Sequence, residues 1–306
     1  MSGGAVSRHL ALVREMSKPG GVLSPSSPNV SHKNPQWWHD DKPRPGRNRL
    51  FRRLVDDAME EAGSLDADRR AIVMAGPPGA GKGHIQTLGV ESVPGHYLTV
   101  DPDDFKKRLL KEAIADGSYE QWLKPPELKA LEAEGEHFFP LELAALVHEE
   151  SSHLARLMRR RALLEGHNVL IDTVLSDTVK AFSLAEELEA HGYSIEVIDV
   201  EVPAELSAAR IEDRWRTAYE NALAGDDPFG GRWVPSEYAH EVFAGPDGRS
   251  RPEHAAREMA DWCGAVVRHR VYWTDSDQAA QGATPTLIVE RLRDQPDAEL
   301  VDQPLP

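Results

Sequence analysis

Residues 76–84, GPPGAGKGH, combine side chains and turns that suit one kind of chemistry. Gly76, Gly79 and Gly81 allow a tight turn that aims backbone N–H groups at anionic oxygens. Pro77, Pro78 and Ala80 fill the places between them, and Lys82 adds a mobile positive charge. The apolar run AIVMA before the loop predicts a strand, and a helix starting after it would turn its positive end to the same anion. Strand, loop and helix together predict a cradle for the phosphates of a nucleotide. The usual pattern places Ser or Thr after the lysine to hold magnesium, but this chain has Gly83 and then His84, which reads as a helix-start residue. Mg²⁺ is therefore expected to be held through water, nucleotide phosphates and the neighbourhood of Asp101 or Asp103, with no protein ligand directly assigned.

A second cluster, TVDPDDFKK, follows about twenty residues on. Phosphoryl transfer to an alcohol needs a carboxylate within hydrogen-bond reach of the attacking hydroxyl, and Asp101, Asp103 and Asp104 supply candidates. Asp101 or Asp103 can equally cap the helix that starts near Phe105. Late in the chain, Arg214 and Arg232 are candidates for offsetting charge on a transferring phosphoryl group; Arg232 lies in GDDPFGGRWVP, which reads as a loop able to close over a nucleotide. Arg210, Arg216 and Arg249 read as solvated neighbours.

These groups need a scaffold, and the hydrophobic pattern describes one. Strands are expected at 71–75, 97–100, 168–172, 194–200 and 266–273, and helices near 50–62, 105–115, 141–165, 178–191 and 204–223. Alternation of this kind predicts an α/β fold, a parallel sheet with helices on both faces of the type found in P-loop NTPases and kinases, with ligands at the carboxyl ends of the strands. The phosphate loop, Asp101 and Asp172 all fall at such ends. Residues 123–140, marked by prolines, read as an insertion or substrate flap.

Three regions are expected: a basic, partly disordered N-terminal arm over 1–48, a kinase-like domain over 49–295 and a disordered tail over 296–306. The arm holds a short helix near 6–16, then a Ser/Pro/Gly-rich stretch with Trp37 and Trp38 as docking points. Residues 1–53 carry 10 Lys or Arg against 3 Asp or Glu, and the rest carries 25 against 48. An acidic body makes nucleic acid an unlikely partner. No run of about twenty apolar residues and no secretory pattern is present, and the single cysteine, Cys263, permits no internal disulfide, so a cytoplasmic chain is expected.

The segments GPPGAGKGH, VDPDDFK, EGHNVLID, VPAELSAARIEDRW and DDPFGGRWVP together resemble the zeta toxins, P-loop kinases of bacterial toxin–antitoxin systems, and the resemblance runs from about Ala71 to Tyr272. It implies ATP-dependent phosphorylation of the 3′-hydroxyl of UDP-N-acetylglucosamine. The family's catalytic base, second aspartate of a DxD segment, corresponds to Asp103, and its two phosphate-contacting arginines correspond to Arg214 and Arg232. Its substrate-binding acid, a Glu in an EGTG-like turn, corresponds to Asp172, followed here by Thr173, Val174 and Leu175. The shorter acid withdraws its oxygens by about 1.5 Å and the turn loses its glycines, which puts the acceptor pocket in question more than the kinase chemistry. Family toxins are restrained by a small antitoxin whose helix covers the ATP site. An epsilon-like antitoxin is thus an expected partner, and the N-terminal arm is a candidate for restraint in cis, for docking that antitoxin, or for a solubilising tail.

Overall fold

The computed structural model describes residues 3–86, 96–296 and 298–305. The chain divides into two compact units. A helical unit takes Met1–Glu61, Pro102–Leu157 and Ile211–Glu237, and a sheet unit takes Ala62–Asp101, Met158–Arg210 and Tyr238–Pro306.

The helical unit opens with the helix Gly3–Met16, whose Val6, Leu10 and Val13 fall on one stripe and are buried. Next come turns up to a hairpin of β1 (Trp38–His39) and β2 (Lys42–Pro43), closed by Asp40 and Asp41 at φ 46° and 54°. Two left-handed residues between paired strands are what a twisted two-residue hairpin requires, and Asp tolerates that region better than most residues. The arm expected over 1–48 is thus tied down through much of its length. Leu23, Val30, Ser31 and Asn34 are buried, and Asn29 Nδ2 donates to Trp122 O at 2.6 Å. Trp38 Nε1 donates to Glu150 at 2.6 Å, while the Arg47 guanidinium, also bonded to Glu150, lies 4.1 Å from the centre of the Trp37 ring. The partners of this stretch come from residues about a hundred positions away, which composition does not record.

Residues 123–140 are likewise folded into the helical unit. They carry the helix Pro126–Ala133 and bury Leu123, Leu128 and Phe138, so the expected flap is a packed element with its own apolar anchors. The helix predicted over 141–165 is split into a 3₁₀ segment, Pro140–Val147, and an α-helix, His148–Glu165.

In the sheet unit, β3 (Arg70–Ala75), β4 (Leu98–Val100), β5 (Val169–Asp172), β6 (Ser194–Glu201), β7 (Val266–Trp273), β8 (Thr286–Leu292) and β9 (Val301–Asp302) form one sheet in the order β4-β5-β3-β6-β7-β8-β9. The pairs from β4 through β7 are parallel, whereas β8 and β9 run antiparallel. Central β3 and β6 are buried almost throughout, as expected of strands covered on both faces. Ile72, Met74, Ile85, Leu170, Ile198 and Val200 form one core cluster under the phosphate loop. The helices Thr178–Ala190 and Arg251–Trp262 pack together and against β6. The tail expected to be disordered after Gln295 contributes β9, held by the open edge of β8; backbone pairing does the ordering, and composition does not record it. Among the described residues no helix is long and apolar enough to cross a membrane.

Candidate functional site

In the sheet unit, β3 ends at Ala75 and the chain turns at once through Gly76 at φ 130°, Gly79 at 75° and Gly81 at 100°. At Gly76 a Cβ would stand 2.2 Å from Val200 O, a backbone atom of the neighbouring strand, so both conformation and space demand glycine. Residues 82–86 are helical, which puts Lys82, Gly83 and His84 in the first turn. The Lys82 ammonium donates to Gly76 O at 2.8 Å and Pro77 O at 3.2 Å. Gly83 differs from the loop glycines: a Cβ there would meet nothing within 4 Å. The position could hold a hydroxyl-bearing side chain without crowding at its Cβ.

Two side chains of the helix Ala204–Ala224 brace this loop. Ser207 Oγ donates to Pro78 O at 2.6 Å, and Arg210 Nη1 donates to Ala80 O at 3.1 Å and Gly79 O at 3.3 Å. Arg210 is therefore no solvated neighbour; it engages two carbonyls of the loop. A signal was present, since Ser207 and Arg210 are three apart on the helix Ala204–Ala224 and so share one face.

Asp172 ends β5 in register with Met74, and its Oδ2 accepts from Gln86 Nε2 at 2.9 Å. Val174 O accepts from Gly76 N at 3.3 Å, and Thr173 Oγ1 accepts from Leu175 N at 3.1 Å. The turn after the acid is thus bound to the phosphate loop. Leu175 adopts φ 55°, the left-handed region for which glycine is suited, while its side chain is buried. The turn keeps a glycine-like backbone without the glycine.

Asp199 and Glu201, two residues apart on β6, form a further acid pair in this unit, and Asp199 is paired across the sheet with Ala75. Burial raises both carboxyl groups above their ordinary range and the Glu253 charge adds to each; the Asp199 charge raises Glu201 further, whereas the hydrogen bond with Glu201 and the Lys82 charge oppose the rise at Asp199, and Ser250 Oγ donates to Glu201 at 2.7 Å.

The helical unit holds the other predicted residues. Asp103 lies inside the first turn of the helix Pro102–Ala115, past the capping position, where the helix dipole favours a carboxylate. Arg232 grips it with both arms, Nη1 to Oδ1 at 2.9 Å and Nη2 to Oδ2 at 2.7 Å, and Lys106 Nζ adds a contact at 2.9 Å. Burial pushes the Asp103 carboxyl up, but Arg232, Lys106 and Arg214 outweigh it and hold it below the ordinary carboxylate range. Arg214 feels the same field: burial and then Arg232 lower its pKa, against Asp103. Lys106 went unnoticed in the sequence, although its spacing of three from Asp103 on a helix could have found it.

The glycines of 230–231 serve packing. A Cβ on Gly230 would meet Phe139 Cβ at 2.4 Å, and one on Gly231 would meet Trp215 O at 2.5 Å. The segment carrying Arg232 is therefore close-packed, with Trp233 and Val234 buried, and departs from the closing loop expected. Asp103, Arg214 and Arg232 are brought together in the helical unit, and Lys82, Asp172 and Thr173 in the sheet unit, to which Asp101 also belongs.

Among the described residues no group of three or more His, Cys, Asp and Glu side chains could hold a metal ion. Gly83 offers no hydroxyl to a magnesium ion.

The zeta toxin family model matches residues 126–255. Toxin zeta of Enterococcus hirae is 24% identical over 199 residues, 63% of this chain and 59% of that protein. The chain therefore spans about three fifths of that relative's length. Among solved structures, the AvrRxo1-ORF1:-ORF2 complex with ATP contains a chain with TM-score 0.52 at 17% identity, the match covering 88% of this chain and 72% of that one. The structure describing the PezAT chromosomal toxin–antitoxin system of Streptococcus pneumoniae gives TM-score 0.51 at 14% identity, covering 79% of this chain and 80% of that one. In sequence the chain is similar to the zeta toxins, and the solved structures share its fold.

Proposed function

Starting from that similarity, we propose that the protein is an ATP-dependent phosphotransferase that moves the γ-phosphoryl group to an alcohol hydroxyl, with the 3′-hydroxyl of UDP-N-acetylglucosamine as acceptor. The observation that carries this reading is Asp103, ionised and gripped by Arg232 and Lys106, in a chain that also holds a glycine loop built for phosphate. In the reaction the acceptor oxygen attacks the γ-phosphorus, the bond to the bridging oxygen of ADP breaks, and the hydroxyl proton passes to Asp103. A carboxylate held below its ordinary range is a modest base but is always available to orient a hydroxyl, which suits a loose transition state where positioning outweighs proton abstraction.

The N–H groups of the loop and the Lys82 ammonium would hold the β and γ phosphates, and Arg214 and Arg232 would offset charge on the transferring group. Asp172 would accept from acceptor hydroxyl or amide groups. Magnesium would come with the nucleotide phosphates, where it supplies charge neutralisation. Such a reaction has its substrates in the cytoplasm, and an epsilon-like antitoxin would be the partner that restrains it.

Mass spectrometry of UDP-N-acetylglucosamine incubated with ATP, Mg²⁺ and the protein tests this directly. Equal amounts of ADP and phosphorylated sugar nucleotide are expected. ADP without that product would move the assignment to another acceptor, a reading favoured by the way Gln86 occupies Asp172; a panel of nucleotides and sugar nucleotides with labelled ATP would then find it. No ADP with any acceptor would overturn the kinase reading.

A further inference from the structure

The N-terminal helix Gly3–Met16 lies against the residues that flank both arginines. His9 is buried, with Nδ1 3.0 Å from Glu136 Oε2 and Nε2 3.1 Å from Glu142 Oε1. A ring with carboxylates at both nitrogens is held at both ends when it carries both protons. The same ring stacks on Tyr219 at 4.5 Å and on Trp215 at 6.0 Å. Glu142 also accepts from Trp215 Nε1 at 3.3 Å and from Phe139 N at 2.8 Å. One helical turn farther, Arg14 Nη2 donates to Glu212 Oε2 at 2.5 Å, and its guanidinium lies 5.1 Å from the centre of the Trp233 ring. Trp215 and Trp233 meet edge to face at 6.4 Å.

Trp215 follows Arg214, and Trp233 follows Arg232. Fixing Trp215 fixes the rotation of the helix that bears Arg214 about its own axis. Trp233 is buried, and Arg232 beside it in the chain reaches Asp103, so the seat of Trp233 limits where Arg232 can reach.

We propose that the helix Gly3–Met16 is a positioning element for phosphoryl transfer, with His9 and Arg14 acting through Trp215 and Trp233 to aim Arg214 and Arg232. This rests on the catalytic reading of the two arginines given above. It assigns the N-terminal segment a role opposite to self-restraint: removing its contacts lowers turnover.

The groups facing His9 set the sign of its pH response. Glu142 and Glu136 are the acids, Tyr219 stacks on the ring, and Arg8 is paired with Glu136. Burial lowers the His9 pKa, but the two carboxylates outweigh it and the net value is raised above 6.5. The doubly held ring is therefore complete below pH 6.5 and is lost as pH rises through the higher folded value.

The test uses the full chain carrying both His9→Ala and Arg14→Ala, with MgATP and UDP-N-acetylglucosamine. We expect kcat to fall about 10–100-fold, as misplacing a catalytic group by an ångström does, with KM for ATP nearly unchanged. Amide exchange should quicken across 211–234 and stay as in the parent across 70–86. Arg14→Lys, which keeps the ion pair to Glu212, should recover most of the single-variant loss. Leu10→Ala, a cavity in the same helix that leaves His9 and Arg14 in place, serves as the control well below its melting temperature. Parental kcat in the double variant, or unchanged exchange over 211–234, would overturn the proposal, as would an equal kcat loss in Leu10→Ala. Should the parent chain transfer phosphate to no acceptor, the arginine assignment fails, whereas the exchange measurement still decides whether the helix holds this segment.

Discussion

The phosphate loop and the Asp103–Arg232 cluster are built on different principles. The loop is written in backbone geometry: Gly76 has no room for a Cβ, three glycines take positive φ, and Ser207 and Arg210 hold its carbonyls from behind. The cluster is written in side-chain charge, with one carboxylate gripped by a guanidinium and an ammonium from positions 129 and 3 residues away. A backbone-coded site tolerates almost no change where sterics rule and ignores change elsewhere. A charge-coded site should keep its fold and lose its chemistry.

The largest effect should come from breaking the loop at its steric limit. Gly76→Ala must push Val200 O away or abandon φ 130°, so ATP binding and transfer should both vanish, with a stability loss of about 1–3 kcal/mol from the backbone alone. Isothermal titration with ATP and a urea melt would check this; parental affinity would show the loop is looser than its geometry. Asp103→Asn should separate the two regions cleanly, lowering kcat about 10³-fold while ATP still binds. Retention of the parental rate would remove Asp103 as the proton acceptor.

Arg210→Ala should have an intermediate effect, since it removes one charged donor to two loop carbonyls. ATP affinity is expected to weaken about tenfold, with the cluster in the helical unit untouched. A kcat effect at saturating ATP would show that the bracing reaches further than binding. The cluster also has an acid signature. Its depressed Asp103 pKa contributes stability above the ordinary value of 3.8, and that contribution is lost as pH falls through the lower folded value. The stability gap between the parent and Asp103→Asn should therefore be steady at neutral pH and close below about pH 4 in urea melts. A gap that closes near pH 6 would assign it to another group.

The smallest effect is expected at Gly83→Ser. Its Cβ meets open space, so stability should stay within about 0.5 kcal/mol of the parent. The added hydroxyl is positioned to ligate nucleotide-bound Mg²⁺, so the metal concentration for half-maximal rate should fall. An unchanged metal requirement would mean that this chain arranges MgATP differently from loops that carry the hydroxyl.

The two regions also differ in how far they could be read from residues alone. GPPGAGKGH declares itself because Gly76, Gly79 and Gly81 answer a local backbone need, and the strand at 71–75 declares itself because its residues are apolar throughout, as a parallel strand covered on both faces favours. Its glycine-rich loop makes Arg232 one candidate among several arginines and the resemblance singles it out, since a lone arginine carries no local mark of its partner. Arg210 reads as solvated because the helix face it shares with Ser207 does not by itself reveal that loop carbonyls lie against it. The glycines before Arg232 suggested motion, but Phe139 and Trp215 show that they permit contact. Leu175 suggested a changed turn, yet its backbone at φ 55° keeps the left-handed form and leaves only the side chain altered.

By itself the sequence determined a parallel α/β body with a phosphate loop after its first strand, because periodicity, glycine placement and the strand–loop–helix order are local and act within a few residues. The tertiary structure decided which acids and arginines meet, that the N-terminal segment is packed, and that the tail pairs with β8. Those outcomes depend on charge and backbone partners from distant parts of the chain. Such partners exist only once the core has closed around them.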